Sequence, residues 1–119
     1  MPAAVPRLKR RSEFLRVAAT HRKWVTPGLI LQIRDCDDAE TPVRVGFTVS
    51  RKVGNAVERN RAKRRLRAAA REVLADFARG GNELVVIGRR KTLNRPFQAL
   101  IKDLKTALKR LGAYRNGTQ

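Results

Sequence analysis

The chain has 119 residues, in which 28 lysines and arginines stand against 10 acids, giving a formal net charge of +18 at pH 7. Its hydrophobic content of 42% is enough for one globular domain spanning residues 1–119, which excludes a disordered polycation. This charge predicts a polyanionic partner, with nucleic acid first, and no membrane partner is expected because no apolar run approaches the roughly 20 residues that span a bilayer.

The N-terminal part of the chain is predicted to form a basic arm and a short helix. Residues 1–11 contain two prolines and four cations, a pattern typical of an extended arm. Ser12 is predicted to cap a helix from about Glu13 to Thr20. Within it, Phe14 is either a core residue or a stacking surface at the edge of a groove. Trp24 directly follows two cations, which is a mild indication of RNA binding.

Two strands are predicted next. Pro27-Gly28 is a turn signal, and the apolar run from Leu29 to Ile33 is typical of a strand. The polar stretch from Asp35 to Pro42 is interpreted as a hairpin connection, because it lacks the glycine and the terminal glutamate of a calcium loop. From Val43 to Ser50 apolar and small or polar residues alternate strictly, which predicts a half-buried strand.

A long basic helix is predicted after this strand. The segment from Arg51 to Arg71 holds nine lysines and arginines and one acid. Asn55 is a favourable N-cap, and Glu58, three residues later, completes a capping box. With Gly80 and the next glycine as its stop signal, the helix is expected to run from Asn55 to Arg79, about 24 residues.

The helical period separates this helix into two faces. The apolar face comprises Ala62, Leu66, Ala69, Val73 and Phe77. The opposite face comprises Asn60, Arg61, Arg64, Arg67, Ala68 and Arg71. Like charges this dense repel one another by tenths of a kcal/mol per pair, and a bound polyanion relieves that repulsion. We therefore predict that this face binds a polyanion; the alternative is the solvated face of a basic protein.

The last third of the chain is predicted to contain a strand and a helix. The almost fully apolar run from Glu83 to Gly88 predicts a strand inside the sheet, and strand–helix–strand order implies a parallel pair joined by a crossover. Arg89 to Lys91 form a second basic cluster. Asn94 is expected to cap the last helix and Gly112 to end it, leaving residues 113–119 as a flexible tail.

Catalytic side chains are scarce. The chain has one histidine and two serines, and it has no paired carboxylates facing the basic helix. No catalytic residue and no metal ligand is therefore predicted in the protein itself. Cys36 is the single cysteine, which excludes an internal disulfide and fits a reducing cytoplasm.

The segment VRVGFTVSRKVGNAVERNRAKRRLR, from Val43 to Arg67, resembles the signature of the bacterial ribonuclease P protein component. The core of this resemblance is Arg59-Asn60-Arg61, followed by Lys63, Arg64 and Arg67. The order of the predicted elements agrees with that family over about residues 7 to 112.

The resemblance implies an α+β fold, a two-layer α/β sandwich in the order helix, strands, long helix, strand, helix. Its β-α-β crossover would be left-handed, against a right-handed rule obeyed in about 98% of cases. The implied function is that of a subunit of a ribonucleoprotein endoribonuclease in the bacterial cytoplasm. Its partners would be a catalytic RNA, which cuts precursor tRNA at the 5′ end, and the precursor tRNA itself. Mg²⁺ would be held mainly by the RNA, and no protein partner is predicted.

The resemblance assigns Arg59, Asn60, Arg61, Lys63, Arg64 and Arg67 to RNA and Phe14 and Thr48 to a leader cleft, and the pattern of the sequence adds the other expected site residues. The residues expected to bind RNA are Arg51, Lys52, Asn55, Arg59, Asn60, Arg61, Lys63, Arg64, Arg67 and Arg71. Those expected to line a cleft for the single-stranded 5′ leader are Phe14, Val17, Trp24 and Thr48. Ala18 departs from the family pattern, in which a second aromatic residue often follows Phe14 by four positions, and Trp24 is the candidate to compensate. The alternative functions are a small basic ribosomal or other structural RNA-binding protein, or an autonomous nuclease.

Overall fold

The computed structural model describes residues 5–115, and within them the chain forms three α-helices around a four-stranded sheet. In chain order the elements are α1 (Arg11–Ala18), β1 (Lys23–Val25), β2 (Leu29–Asp35), β3 (Arg44–Thr48), α2 (Ala56–Phe77), β4 (Asn82–Gly88) and α3 (Phe97–Arg110). Two single-turn 3₁₀ helices, η1 (Arg51–Val53) and η2 (Arg90–Leu93), precede α2 and α3. This order is the one predicted for an α+β fold.

The sheet has the strand order β1-β2-β4-β3. The apolar strand β4 lies inside it, antiparallel to β2 and parallel to β3, as its sequence predicts. The predicted β3–α2–β4 crossover is therefore present. The hairpin predicted at residues 35–42 is wrong, because β4 lies between β2 and β3 and keeps them apart. The hairpin is instead formed by β1 and β2, around the turn at Pro27-Gly28.

The main core lies between the sheet and the pair α2–α3. It includes Leu31, Val45, Leu66, Val73, Leu84, Leu104 and Leu108, which have 3% or less of their surface exposed. These leucines and valines come from the apolar stripes of both helices and from one face of the strands. On the opposite face, α1 covers part of the sheet with Val17 and Phe14, packed against Leu8 and Val85.

The start of α2 is the one predicted from the sequence. Asn55 Oδ1 accepts a hydrogen bond from the backbone N–H of Glu58 at 2.9 Å, and the Glu58 carboxylate accepts one from the N–H of Asn55 at 2.9 Å. The helix ends at Phe77, short of the predicted end, because Ala78 adopts an extended conformation and pairs with Tyr114.

Both ends of the described chain are docked, which corrects the prediction of an arm and a tail. Leu8 is buried, and its N–H donates to the carbonyl of Val45 at 2.9 Å, so this segment adds to the β3 edge. Ala113 is buried, and the Tyr114 ring stacks on Phe77 with the ring centroids 5.5 Å apart. The remainder of the predicted arm, residues 1–4, and of the tail, residues 116–119, lies outside the described residues.

Two predicted helix caps are also wrong. α1 starts at Arg11, because the carboxylate of Glu13 accepts from the backbone N–H groups of Lys9 and Arg10; Ser12 lies inside the helix. α3 starts after Pro96, whose fixed φ suits a helix entry, so the predicted cap Asn94 precedes the helix and makes no cap. The predicted end of α3 at Gly112 is confirmed, with a positive φ of 75° there.

Candidate nucleic-acid interface

The exposed face of α2 is a row of five cations and one asparagine. Its members, called the α2 ridge below, are Asn60, Arg61, Arg64 and Arg71, which are exposed, and Lys63 and Arg67, which are half-buried. The opposite side of the helix is buried through Ala62, Leu66, Ala69 and Val73, as the helical period predicts. The apolar stripe therefore fixes the direction in which the ridge points.

The α2 ridge keeps its charge. Among residues 5–115, the ion pairs use Arg16, Arg34, Arg44 and Arg95, and no carboxylate pairs with a cation of α2. Where arginines of α2 make hydrogen bonds, they donate to carbonyls: Arg59 to Gly54 at 3.0 Å and Arg61 to Leu93 at 2.8 Å. Carbonyl acceptors leave the net positive charge of the helix available to an external anion.

Arg65 has a different position from its neighbours, which the sequence did not reveal. Its Nε donates to the carbonyl of Thr92 at 2.8 Å, and an Nη donates to the carbonyl of Arg95. The Thr92 hydroxyl in turn donates to the carbonyl of Gly28 at 2.6 Å in a buried position. Arg65 thus joins α2 to η2 and to the β1–β2 turn.

This network brings the second basic cluster beside the first. Arg90 Nε donates to the carbonyl of Lys52 at 3.2 Å, so η2 lies against η1 at the start of α2. Arg51, Lys52, Arg90 and Lys91 are all exposed there, and Arg90 and Lys91 line a cavity of about 500 Å³. The sequence showed both clusters, but their proximity depends on tertiary contacts to η2 made by Arg61 and Arg65. Together, η1, η2 and the α2 ridge form one continuous basic surface.

Asn55 and Arg59 are partly engaged within the fold. The side-chain oxygen of Asn55 caps α2, and the guanidinium of Arg59 reaches back to the carbonyl of Gly54. Both remain beside the basic surface, but their first role in the structure is to fix the start of α2. The amide of Asn60 is exposed on the ridge itself.

The sheet face that α1 partly covers continues beside α1 as a partly exposed surface, called the cleft below. The strand register aligns Val25, Ile30, Ile87 and Thr48 in one row across all four strands. Val25 is exposed and the other three are half-buried, and Ile87 packs against the cluster that contains Val17 of α1. Phe14 lies on Gly46, in the next row, so closely that a Cβ at Gly46 would be 2.5 Å from its Cζ. Phe14 and Thr48 therefore face the same cleft.

The other two predicted cleft residues do not line it. Val17 is fully buried between Leu8 and Val85, so it supports α1 without being accessible. Trp24 pairs with Leu31, which places its ring on the α3 face of the sheet. The Arg110 guanidinium lies 5.4 Å from the centroid of that ring. Because strand residues alternate between faces, Trp24 cannot compensate for the missing aromatic residue at position 18.

A buried carboxylate sets the position of α1 over the sheet. Glu83 is 5% exposed and lies 3.1 Å from Arg34, 3.5 Å from Arg44 and 3.6 Å from Arg16 of α1. Arg44 also pairs with Glu13 of α1.

Burial, followed by the nearby Glu83 carboxylate, raises the pKa of the Cys36 thiol above its ordinary value, so this thiol is a poor nucleophile at neutral pH.

Residues 5–115 contain no cluster of three or more histidine, cysteine, aspartate or glutamate side chains that could hold a metal ion. Within the same range no helix is both long and apolar enough to cross a membrane.

Comparisons with known proteins agree with this geometry. A family model described as Ribonuclease P matches residues 3–112. The chain is 54% identical over 116 residues to the "Ribonuclease P protein component" of Paramagnetospirillum magneticum, covering 95% of this chain and 87% of that one. Its fold is similar to that of the ribonuclease P protein of Staphylococcus aureus, with a TM-score of 0.75 and 21% identity. The match covers 94% of this chain and 100% of that one. For the ribonuclease P protein of Thermotoga maritima the TM-score is 0.69 and the identity 27%. That match covers 88% of this chain and 94% of the other. The chain therefore belongs to the family of bacterial ribonuclease P protein components.

Proposed function

We propose that this protein binds the catalytic RNA of ribonuclease P through the α2 ridge together with η1 and η2. The observation that carries the proposal is a one-sided row of cations that no carboxylate of residues 5–115 neutralises. A row of several cations on one face of a helix can contact several phosphates of an RNA backbone. Phosphate contacts supply most of the affinity and fix the register of such a complex.

The cleft beneath α1 is proposed to hold the single-stranded 5′ leader of precursor tRNA. Phe14 offers a ring at the edge of the cleft, and Thr48 offers a hydroxyl in the row that continues through Ile87 and Ile30. Unstacked bases are recognised by such aromatic and polar side chains. With Val17 buried and Trp24 on the other face, Phe14 is the aromatic residue available in this cleft.

The protein is proposed to act through charge, with cleavage carried out by the RNA. A surface that neutralises phosphates allows two polyanions, the catalytic RNA and precursor tRNA, to approach each other. Mg²⁺ is proposed to be held mainly by the RNA, where it supplies the charge stabilisation that hydrolysis of a phosphodiester requires. We place this activity in the bacterial cytoplasm, where precursor tRNA is made.

Reconstitution tests the proposal. The protein is added to the catalytic RNA of a bacterial ribonuclease P at low Mg²⁺, and 5′ cleavage of precursor tRNA is followed. We expect a clear gain in rate, and no gain would reject the proposal. Co-purification with ribosomes without any effect on tRNA maturation would favour a ribosomal protein instead.

A pair of matched variants localises the effect. Arg64→Ala with Arg71→Ala removes two charges from the ridge, two helical turns apart on one face. Lys102→Ala with Lys109→Ala removes the same charge from α3, where both lysines are exposed. The first pair is expected to lose most of the gain in cleavage at low Mg²⁺, and the second to keep it. Equal losses would show that only net charge matters.

A further inference from the structure

A second aromatic site lies on the opposite face of the sheet from the leader cleft. It is a cavity of about 260 Å³, called the edge pocket, where the β3 edge meets α2 and the N-terminal segment. Its apolar walls include Phe47, Ala70 and Leu74, and its rim carries Arg7, Arg67 and Arg71. Phe47 alternates with Thr48 along β3, so its ring is on the α2 side. The edge pocket is thus separate from the cleft that contains Phe14.

The rim is cationic, and part of its hydrogen-bonding capacity is unused. The Arg7 guanidinium lies 5.9 Å from the centroid of the Phe47 ring. Arg67 Nε is buried, yet it has no hydrogen-bond partner among the described residues. No acid lines the pocket. A buried donor without an acceptor is unfavourable, and an anionic ligand that reaches it would relieve that cost.

These features define the ligand. An aromatic wall with apolar neighbours favours a flat ring, and three guanidiniums favour a phosphate beside it. The volume is below the roughly 300–1,000 Å³ typical of whole small-molecule sites, so a single ring system fits better than a larger cofactor. A nucleotide carries both groups, a flat base and a phosphate beside it.

The position of the pocket indicates where that nucleotide comes from. Arg67 and Arg71 lie one helical turn apart in α2, and both residues belong to the edge pocket as well as to the α2 ridge. RNA that follows the ridge therefore passes the mouth of the pocket. We propose that the edge pocket receives one unpaired nucleotide of the RNA bound on the α2 ridge, its base against Phe47 and its phosphate between the rim arginines. This inference rests on the proposed function, and it adds a base contact to a surface otherwise described by charge.

The test separates base binding from phosphate binding. Fluorescence anisotropy measures the affinity for a labelled oligoadenosine and for an abasic ribose-phosphate oligomer of equal length. All variants carry Phe14→Leu, which removes the ring of the leader cleft. Phe47→Leu is expected to weaken binding of the oligoadenosine by about five-fold or more, the scale of a lost base–aromatic contact, and to leave the abasic oligomer unchanged. Arg7→Gln is expected to weaken both.

Two outcomes would overturn the inference. Equal weakening of both oligomers by Phe47→Leu would show a structural role for the ring, and no weakening of either would show an empty pocket. Should circular dichroism show that Phe47→Leu is unfolded, Ala70→Met fills the pocket without changing charge and carries the same expectations. Reconstituted cleavage at low Mg²⁺ keeps the two proposals apart: a normal gain with no base effect rejects the pocket alone, whereas no gain for the wild-type chain rejects the proposed function.

Discussion

Two adjacent arginines of α2 are expected to respond to substitution in opposite ways. Arg64 is exposed on the α2 ridge, whereas Arg65 donates to the carbonyls of Thr92 and Arg95. Arg64→Ala and Arg65→Ala make the same chemical change one residue apart in one helix. Their comparison separates a residue proposed to bind RNA from one that joins α2 to η2.

The structure gives a magnitude for each change. Arg65→Ala leaves two carbonyl acceptors without their charged donor, at about 1.5–3 kcal/mol per such bond before screening, and we expect about 2–3 kcal/mol because Arg65 is half-buried. With an unfolding entropy of about 2.1 cal/mol/K per residue, this lowers Tm by about 10 °C. Arg64→Ala removes a repelling charge and introduces the best helix former, so the Tm is expected to stay constant or rise slightly.

The effects on RNA binding are expected to differ as well. Losing one phosphate contact reduces the slope of log K against log salt by about 0.7–0.9, so the affinity at 0.1 M relative to that at 1 M salt falls by about five- to eight-fold. Arg64→Ala should show this loss with Tm preserved, and Lys102→Ala on α3 serves as the charge-matched control. Filter binding to the catalytic RNA over a salt series, with a thermal melt of each variant, makes the measurement. A normal salt slope for Arg64→Ala, or a large fall in its Tm, would refute the assignment of the ridge.

Three further predictions concern α1 and the sheet. Gly46→Ala is expected to displace the Phe14 ring, costing about 1–3 kcal/mol in urea unfolding and weakening binding of a leader-bearing precursor tRNA relative to one without a leader; equal effects on both substrates would contradict it. Glu83→Ala leaves three arginines around a buried position and is expected to cost about 2 kcal/mol, less than a fully buried pair because the arginine side chains are 32–52% exposed; an unchanged urea midpoint would contradict it. Because the pKa of Cys36 is raised, its alkylation by iodoacetamide is expected to be slower than that of glutathione at pH 8 and to rise as pH increases toward the thiol pKa; a faster reaction would contradict the direction of the shift.

The sequence predicted best where a local rule decides the structure. The start of α2 follows from the spacing of Asn55 and Glu58, which is a contact between neighbours in the chain. The helical period likewise gave the buried and exposed faces of α2. The interior position of β4 followed from its almost fully apolar sequence.

The predictions that were wrong depend on contacts between distant residues. Residues 35–42 have the composition of a hairpin loop, and only the later strand β4 prevents β2 and β3 from pairing. α2 ends early because Ala78 pairs with Tyr114. Trp24 has the neighbours of an RNA-binding residue, but its register with Leu31 turns it to the wrong face. Arg65 looked like one more cation of the series, and its acceptors lie 27 or more positions further on.

The place of β4 in the sheet has a consequence for how the protein is made. β4 is the last of the four strands to leave the ribosome, and residues 49–81 separate it from β3. During translation, β2 and β3 emerge without their shared partner, and the cationic segment between β3 and β4 follows before the sheet can close. Non-local pairing of this kind delays folding of a nascent chain. A product stopped before residue 82 would carry the cations without the core that orients them, and would behave in the cell as an indiscriminate polycation.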